Sequence, residues 1–384
     1  MWIKFRHKVV FTLLRPFFIV FFWIKYRTTV KKVKLNKEPY LILSNHLTTL
    51  DPFIVGLAFL RPIYYMASED LSSSKYGKLI TWLVNPIYKA KSKTDLGAIK
   101  DCLRVTREGG TICIFPEGNR SFDGQLCHID ESIVKLVKLL KIPVVLFNIN
   151  GGYGTDPRWA NKGRRGKSSG TVRMILSVEE ISNMSNEELF KVIIDGLTVN
   201  SVPTAYKYKS KKNAEGLERI LYLCPKCNSL NSIFTKKNYL YCSKCNLRVK
   251  YTNQLEFETE DLDFKFKYVK DWYSYQKNYI KSFNSNTKFF YEDENVTLLL
   301  MEKNKKGKPI KNGKLSMDNA FLSIDDIQFN LSNIENMTMV GKRKMNFYFD
   351  NKTYQLKRNL SINLIKYYHM YHHFYKKEGI DHAI

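Results

Sequence analysis

The stretch Ser44-Asn45-His46-Leu47-Thr48-Thr49-Leu50-Asp51-Pro52-Phe53 (residues 44–53) decides the fold of the first half of the chain. It places a histidine and a carboxylate, His46 and Asp51, five residues apart. In a continuous α-helix, which turns about 100° per residue, two such side chains would point about 140° apart. The flanks predict a loop instead, because residues 40–43 are an apolar, strand-like run and Asp51-Pro52 is typical of a helix N-cap and first turn. We therefore expect His46 to follow a buried strand and Asp51 to cap the next helix.

A histidine held by a carboxylate across a loop suits general-base chemistry. The carboxylate fixes the proton on one ring nitrogen and leaves the other nitrogen to accept a proton from an attacking hydroxyl. The alternative for His46 and Asp51 taken alone is an ordinary surface pair.

A second stretch favours the catalytic interpretation. Phe115-Pro116-Glu117-Gly118-Asn119-Arg120-Ser121 follows the apolar run of residues 111–114. Ligands of α/β folds gather where loops leave the carboxyl ends of the strands, so we expect both stretches to share one cleft. Gly118 permits close backbone approach, and Arg120 offers a planar fork to a phosphate. The alternative is a structural corner with Arg120 in a surface ion pair.

Together the two stretches resemble the motifs of the glycerolipid acyltransferase family, which includes the lysophosphatidic acid acyltransferases. The resemblance implies an α/β acyltransferase domain with His46 and Asp51 as its catalytic pair. It also implies that Glu117, Gly118 and Arg120 bind the glycerol phosphate of the acceptor. We place Asn45 with them as a substrate-binding residue.

Two further segments resemble blocks of the same family. Residues 67–71 and 85–89 match a block that normally ends in a phosphate-contacting arginine, and Lys89 aligns best, with Lys91 and Lys93 as alternatives. A lysine keeps the charge but loses the bidentate geometry. Residues 142–146 match a block near the acyl-donor site, although they fit a core strand equally well. Residues 127–132 depart from the family, which commonly has a Lys-Gly turn there, so the acceptor or donor preference is expected to differ.

The composition limits the partners. The 384 residues carry 62 Lys+Arg against 36 Asp+Glu, a formal charge of +26, which favours phosphates, nucleic acid or an anionic membrane. An aromatic content of 14% indicates a folded chain rather than a basic disordered one. This length is enough for two or three domains.

Residues 1–28 are predicted to be a membrane-interface segment. Arg15 and Pro16 interrupt the apolar run of residues 9–24 and leave eight uninterrupted apolar residues, 17–24. A bilayer span needs ~20 residues. Flanking basic residues fit an interfacial segment among acidic head groups. The alternative is a helix packed on the protein's own core. No small-residue cleavage site follows, so a removed signal peptide is not expected.

Alternating apolar segments predict an α/β layer fold for residues 29–206, the proposed acyltransferase domain. The predicted strands are residues 40–43, 62–66, 87–89, 111–115, 143–149 and 171–176. The predicted helices are residues 52–60, 76–83, 96–108, 132–140 and 186–200.

Residues 207–255 form a basic linker followed by a predicted zinc ribbon. Two Cys-x-x-Cys pairs, Cys224 with Cys227 and Cys242 with Cys245, are separated by fourteen residues. This spacing supplies four soft ligands and predicts a closed, structural Zn²⁺ site. A redox or disulfide pair is the alternative, but the other three cysteines show no pairing and suggest a reducing cytosol.

Residues 256–384 are predicted to form a β-rich accessory domain. A helix at 269–280 precedes strands at 288–291, 296–301, 320–324, 334–340, 345–349 and 353–357 and a closing helix at 360–376. Several strands followed by one helix resemble a pleckstrin-homology-like module. The basic turn at 341–344 is expected to meet anionic lipid or simply solvent.

The sequence as a whole predicts a 1-acyl-sn-glycerol-3-phosphate O-acyltransferase-like enzyme on the cytoplasmic face of a membrane, either monotopic or peripheral. It would move an acyl group from acyl-CoA or acyl-carrier protein to a lysophospholipid. Glycerol 3-phosphate or another lysolipid is the alternative acceptor. A zinc-ribbon nucleic-acid-binding protein is the alternative of another class. The basic residues are spread along the chain rather than concentrated on the ribbon, so nucleic acid is not the expected partner.

Overall fold

The computed structural model describes residues 2–36, 38–72, 76–89, 95–284, 286–302, 307–358 and 362–376. The chain divides into two compact units, residues 1–157 with 164–208, and residues 158–163 with 209–384. The short segment 158–163 therefore leaves the first unit and belongs to the second. The finer domain boundaries stay predictions.

The first unit alternates strands and helices. Its strands are β1 (Thr28–Val30), β2 (Leu41–Ser44), β3 (Ile63–Ser68), β4 (Ile87–Lys89), β5 (Thr111–Ile114), β6 (Val144–Asn150) and β7 (Ser168–Leu176). Its helices are α1 (Phe5–Tyr26), α2 (Asp51–Ala58), α3 (Glu69–Ser72), α4 (Gly77–Val84), α5 (Leu96–Arg107), α6 (Ser132–Leu140), α7 (Gly152–Thr155), α8 (Val178–Asn183) and α9 (Asn186–Leu197). The predicted α/β class is confirmed.

These strands form one sheet in the order β1-β7-β6-β2-β5-β3-β4. Strands β6, β2, β5, β3 and β4 run parallel, whereas β7 is antiparallel to β6. Successive residues of β2 point to opposite faces, so Leu41 and Leu43 pack in the core with α5, α6 and α9, and Ile42 packs in the core with α1 and α2. Burial on both faces explains why residues 41–43 of β2 are all apolar.

The N-terminal segment forms a longer element than its eight-residue apolar run indicated. Arg15 and Pro16 interrupt the apolar run but not the helix, because α1 is one helix of 22 residues with Pro16 inside it. At ~1.5 Å per residue it extends about 33 Å, and it is long and apolar enough to cross a membrane by length and composition. Tertiary contacts offset the helix-breaking tendency of Pro16. The Arg15 guanidinium donates to the Leu57 carbonyl of α2 (3.0 Å), and the Phe18 ring contacts Phe53.

The second unit is mostly antiparallel. A four-stranded sheet contains β8 (Ile233–Lys236), β9 (Tyr239–Cys242), β10 (Arg248–Tyr251) and β11 (Phe257–Glu258), in the order β11-β10-β9-β8. A seven-stranded sheet contains β12 (Tyr291–Met301), β13 (Lys308–Met317), β14 (Phe321–Ile324), β15 (Ile327–Asn330), β16 (Ile334–Val340), β17 (Lys344–Phe349) and β18 (Lys352–Lys357). Its order is β15-β14-β13-β12-β18-β17-β16. The helices are α10 (Val269–Lys281) and α11 (Ile365–Tyr375), with short 3₁₀ turns at Leu217–Arg219 and Leu331–Asn333.

The β-rich character of this unit is confirmed, while its likeness to a pleckstrin-homology module stays a prediction. Two strands of the seven-stranded sheet, β13 and β15, were missed in the sequence. The predicted runs at 288–291 and 296–301 contribute to one strand, β12, whose pairing with β13 shifts register between Asp293 and Val296. The predicted start of the closing helix at residues 360 and 361 lies outside the described residues.

Two cations of the basic turn at 341–344 form hydrogen bonds with residues 160 and 161 of the same unit. The Lys342 ammonium donates to the Ala160 carbonyl (2.5 Å), and the Arg343 guanidinium donates to the Asn161 side-chain oxygen (3.2 Å). Arg158, which is buried, donates to the carbonyls of Met339 and Gly341. The turn therefore holds residues 158–161 within the second unit.

Candidate active site

His46 and Asp51 meet across the loop between β2 and α2. The His46 Nδ1 atom lies 2.8 Å from the Asp51 Oδ2 atom. With Asp51 ionised, Nδ1 carries the proton and donates it to the carboxylate, which leaves Nε2 as the basic nitrogen of the ring. Asp51 is the first residue of α2 rather than its N-cap, which is Leu50.

The loop backbone fixes the Asp51 carboxylate. Oδ2 also accepts the backbone N–H groups of Leu47 (2.6 Å) and Thr48 (2.8 Å), and Oδ1 accepts the Thr48 hydroxyl (2.7 Å). The side chain is fully buried at the N-terminus of α2, where the helix dipole favours a negative charge. Charge-assisted bonds of this kind hold the carboxylate in one orientation and so orient the imidazole.

The second motif packs directly on the histidine. The Phe115 ring is stacked on the His46 ring, with centroids 4.4 Å apart and planes inclined by 25°. The Ser121 N–H donates to the His46 carbonyl (3.2 Å). The structure thus brings the two sequence motifs together at the carboxyl ends of the adjacent strands β2 and β5.

Glu117 ties three loops together. Its Oε1 atom accepts the His46 backbone N–H (2.5 Å), and its Oε2 atom accepts the Cys127 backbone N–H (2.7 Å). Burial raises the pKa of this carboxyl to about 8, an effect that the two backbone N–H donors partly offset. One Glu117 oxygen therefore holds the His46 loop in place, and the other holds the segment 127–132.

Gly118 and Arg120 lie on the same turn as Glu117. Gly118 is exposed, with a positive φ of 66° that an L side chain rarely adopts. Burial lowers the pKa of the Arg120 guanidinium, while the carboxylates of Asp156 and Asp51 raise it. Arginine nevertheless stays charged at any physiological pH.

The Asn45 side chain forms hydrogen bonds with the backbone of the neighbouring strand β6. Its side-chain amide donates to the Ile149 carbonyl (3.0 Å), and its side-chain oxygen accepts the Ile149 N–H (2.7 Å). Asn45 therefore fixes the end of β2 against β6, and its predicted substrate contact stays a prediction.

Lys89 lies at the same edge of the sheet, at the end of β4 and three strands from β2. At ~4.8 Å per strand this is about 14 Å. Its charge acts on Asp130, whose pKa is lowered first by the Ser132 hydrogen bond and then by His128 and Lys89. Lys89 thus lies close enough to Asp130 for its charge to act on that carboxyl. The alternatives Lys91 and Lys93 lie outside the described residues.

Two contributing residues were missed in the sequence. Thr48 donates two of the bonds that hold Asp51, and its position three residues before the helical carboxylate was a signal for such a contact. Asp156, which accepts the Thr49 hydroxyl (3.1 Å), comes from a distant loop and gave no local signal.

The four ribbon cysteines cluster in the second unit. Their sulfur atoms all lie within 4.8 Å of one another, with Cys224 to Cys245 and Cys227 to Cys242 each 3.7 Å apart. Sulfurs ~2.3 Å from a tetrahedral zinc are about 3.8 Å apart, whereas a disulfide needs about 2.05 Å. The donor set and spacing fit Zn²⁺.

Comparison with known proteins agrees with this geometry. A family model described as Acyltransferase matches residues 25–149, which include both motifs. The match covers 125 of the 384 residues, so this part of the first unit is similar to the acyltransferase family.

Several curated proteins resemble this part of the chain. A probable 1-acyl-sn-glycerol-3-phosphate acyltransferase of Mycoplasma pneumoniae is 26% identical over 131 residues, 33% of this chain and 49% of that protein. The 1-acyl-sn-glycerol-3-phosphate acyltransferase of Borreliella burgdorferi is 26% identical over 125 residues, 31% of this chain and 49% of that protein. The chain thus spans about half the length of these two relatives.

Among solved structures, the 1-acyl-sn-glycerophosphate (LPA) acyltransferase PlsC from Thermotoga maritima is similar to this chain. It is 20% identical, with a TM-score of 0.42, over 49% of this chain and 77% of that one.

Proposed function

We propose that the chain is a membrane-associated acyltransferase that moves a fatty acyl group from a thioester donor, acyl-CoA or acyl-carrier protein, to a lysophospholipid hydroxyl. The simplest acceptor is 1-acyl-glycerol 3-phosphate, and the product is then phosphatidic acid. The observation that carries the proposal is the buried Asp51 carboxylate, 2.8 Å from His46 Nδ1, inside the part of the chain that is similar to the acyltransferase family.

His46 acts as the general base. Its Nε2 atom takes the proton of the acceptor hydroxyl as that oxygen attacks the thioester carbonyl. The new C–O ester bond forms, the C–S bond breaks, and the departing thiolate takes the proton back from the imidazolium. Asp51 stabilises that imidazolium without becoming protonated itself. No acyl-enzyme is required.

The acceptor phosphate is held by the turn after β5. Arg120 supplies the charge, and the exposed Gly118 lets the phosphate approach the backbone. Glu117 contributes to this site indirectly, because its two oxygens accept the backbone N–H groups of His46 and Cys127 and so hold the surrounding loops in place. Lys89 supplies a second cation toward the segment 127–132. Binding energy from these groups positions the reacting hydroxyl.

Membrane association is supported by exposed apolar side chains on α1 and α4. These are Phe5, Leu13, Phe17, Val20, Trp23 and Ile24 on α1 and Leu79 and Trp82 on α4. The Arg6 guanidinium lies over the Trp82 ring, 5.3 Å from its centroid, so the two helices contribute to one surface. The proposal also places the protein on the cytoplasmic face of the membrane, as a monotopic or peripheral protein.

The zinc ribbon holds a structural Zn²⁺ through Cys224, Cys227, Cys242 and Cys245. Four protein thiolates leave no open coordination position, so the metal takes no part in acyl transfer.

The test is an assay of the purified chain with glycerol 3-phosphate and a panel of lysolipid acceptors, each offered acyl-CoA and acyl-carrier protein thioesters. Product lipids are identified by mass. We expect phosphatidic acid from 1-acyl-glycerol 3-phosphate and none from the His46→Ala variant. Absence of acyl transfer to every acceptor from either donor would refute the proposal.

A further inference from the structure

The four-stranded sheet of the zinc ribbon has one buried and one outward face. Alternate residues Ile233, Leu240, Val249 and Tyr251 are buried. The residues between them face outward because successive side chains of a strand point to opposite faces. We call the outward set the ribbon face; it comprises Phe234, Lys236, Tyr239, Tyr241, Arg248 and Lys250.

The strand register arranges the ribbon face in two rows. Phe234 pairs with Tyr241, which pairs with Arg248, and in the next row Lys236 pairs with Tyr239, which pairs with Lys250. Each row therefore mixes aromatic rings with cations. Phe234 is 47% exposed, and all three cations are exposed. Lys250 is paired with Glu258 (2.8 Å), which leaves the face with a positive balance.

We propose that the ribbon face binds the surface of an anionic lipid bilayer. Aromatic rings, two of them with hydroxyl groups, and basic side chains are the combination found where proteins meet the membrane interface. The positive balance of the face complements acidic head groups. The choice of a membrane as the partner rests in part on the proposed function, because an enzyme acting on lysophospholipids works beside a bilayer.

The ring geometry favours lipid over single-stranded nucleic acid. A nucleobase needs a free ring face to stack on. Here Phe234 and Tyr241 are stacked on each other, 5.3 Å apart and inclined by 17°, and the Arg248 guanidinium lies 4.4 Å from the Tyr239 centroid. Each ring thus has one of its two faces occupied by a neighbouring side chain, which leaves less ring surface for a stacked base. A contact with the membrane interface uses the ring edges and hydroxyl groups. The stacking of Phe234 on Tyr241 and of Arg248 on Tyr239 leaves these groups available.

The first experiment measures binding of the full chain to vesicles of phosphatidylcholine with and without phosphatidylglycerol. The test variant is Phe234→Ser with Arg248→Ser. The matched control is Phe290→Ser with Lys352→Ser, which removes a more exposed ring (61%) and one exposed cation elsewhere in the same unit. One cation near an anionic surface changes affinity about fivefold. We therefore expect at least that loss for the test variant on the phosphatidylglycerol vesicles, with the control unchanged.

A second measurement locates the contact even if the double variant folds poorly. Phe234→Trp and Phe290→Trp are compared for fluorescence quenching by vesicles with brominated acyl chains. We expect added quenching only at position 234. Equal quenching at the two positions, or equal vesicle binding by the test and control variants, would overturn the inference. Loss of binding to a single-stranded oligonucleotide in the test variant, with vesicle binding retained, would assign the face to nucleic acid instead.

A separate assay distinguishes failure of the proposed function from failure of the ribbon-face inference. Transfer to a lysophospholipid dispersed in detergent reports on the His46 site without a bilayer. A chain inactive in that assay loses the proposed function, while the vesicle comparison still decides the role of the ribbon face.

Discussion

Asp51 is the residue on which the proposed chemistry depends most, because its carboxylate accepts the Nδ1 proton of His46 and so favours one tautomer. We predict that Asp51→Asn lowers kcat by about 10³-fold or more, since an amide can donate to Nδ1 and so favours the wrong tautomer. Thr48→Val removes one of the four bonds on this carboxylate and is expected to cost far less. The measurement is kcat for acyl transfer, with circular dichroism as the folding control. An Asp51→Asn variant that keeps most of its turnover would contradict the mechanism.

Glu117 makes stability depend on pH. Its pKa of about 8 in the folded chain lies above the ordinary value near 4.3, so between these values the folded state binds the extra proton. The free energy of unfolding should therefore fall as pH rises from about 5 to about 8, by at most about 1.4 kcal/mol per pH unit. We predict that Glu117→Gln, which cannot titrate, removes this slope in denaturant titrations. Parallel slopes for the two proteins would show that Glu117 is ionised throughout.

Some residues of the site could be predicted from sequence, and others could not. His46, Asp51 and the turn at 117–120 belong to local patterns that follow strand-like runs. The backbone contacts of Glu117 with His46 and Cys127 were not predictable, because they depend on how three loops pack. Asp156 reaches the site from a loop more than a hundred residues after His46, and only tertiary structure brings it there.

Helix α1 carries the clearest prediction for a single element. Leu13→Ser, Phe17→Ser and Trp23→Ser together remove side chains that are 63–70% exposed, so the fold should survive. We predict at least about tenfold weaker partition onto membranes, since burying one large apolar side chain is worth ~1.5–3 kcal/mol. The control is Leu262→Ser, Phe290→Ser and Ile310→Ser, which changes exposed apolar residues of the second unit. Partition measured by vesicle flotation that is equal in the two variants would exclude α1 as the membrane contact.

Elements with a clear apolar period were predicted well, and those held by tertiary contacts were not. The bounds of α6 and β4 agree with the sequence because their apolar pattern is local. Arg15 and Pro16 interrupt the apolar run in the sequence, yet α1 is continuous and the Arg15 side chain contacts α2. Strand β13, Lys308–Met317, was missed because half of its residues are Lys, Asn or Ser, and it is defined by its pairing with β12 and β14.

The first unit has its own hydrogen-bonded sheet and the second unit has two others, so the chain should unfold in two transitions, and zinc should govern the second unit. The segment that leads into Cys224 is tied to α10 by four hydrogen bonds, two of which lie next to the cysteine. The Trp272 indole donates to the Leu223 carbonyl (2.8 Å), and the Tyr222 N–H donates to the Gln276 side-chain oxygen (3.0 Å). Loss of the metal should therefore spread from the cysteine cluster into the helices of that unit.

Zinc removal tests this coupling. We predict about one zinc per chain by metal analysis, and a strong chelator should lower the Tm of one calorimetric transition while the other stays in place. Cys242→Ser should reproduce the effect without chelator, whereas Lys244→Ala, an exposed change between the two cysteines of that pair, should not.

Acyl transfer to a detergent-dispersed acceptor should persist at a temperature below both transitions, because His46 and Asp51 belong to the first unit. Well under one zinc per chain would refute the site, and a shift of both transitions on chelation would show that the metal stabilises more than the unit that binds it.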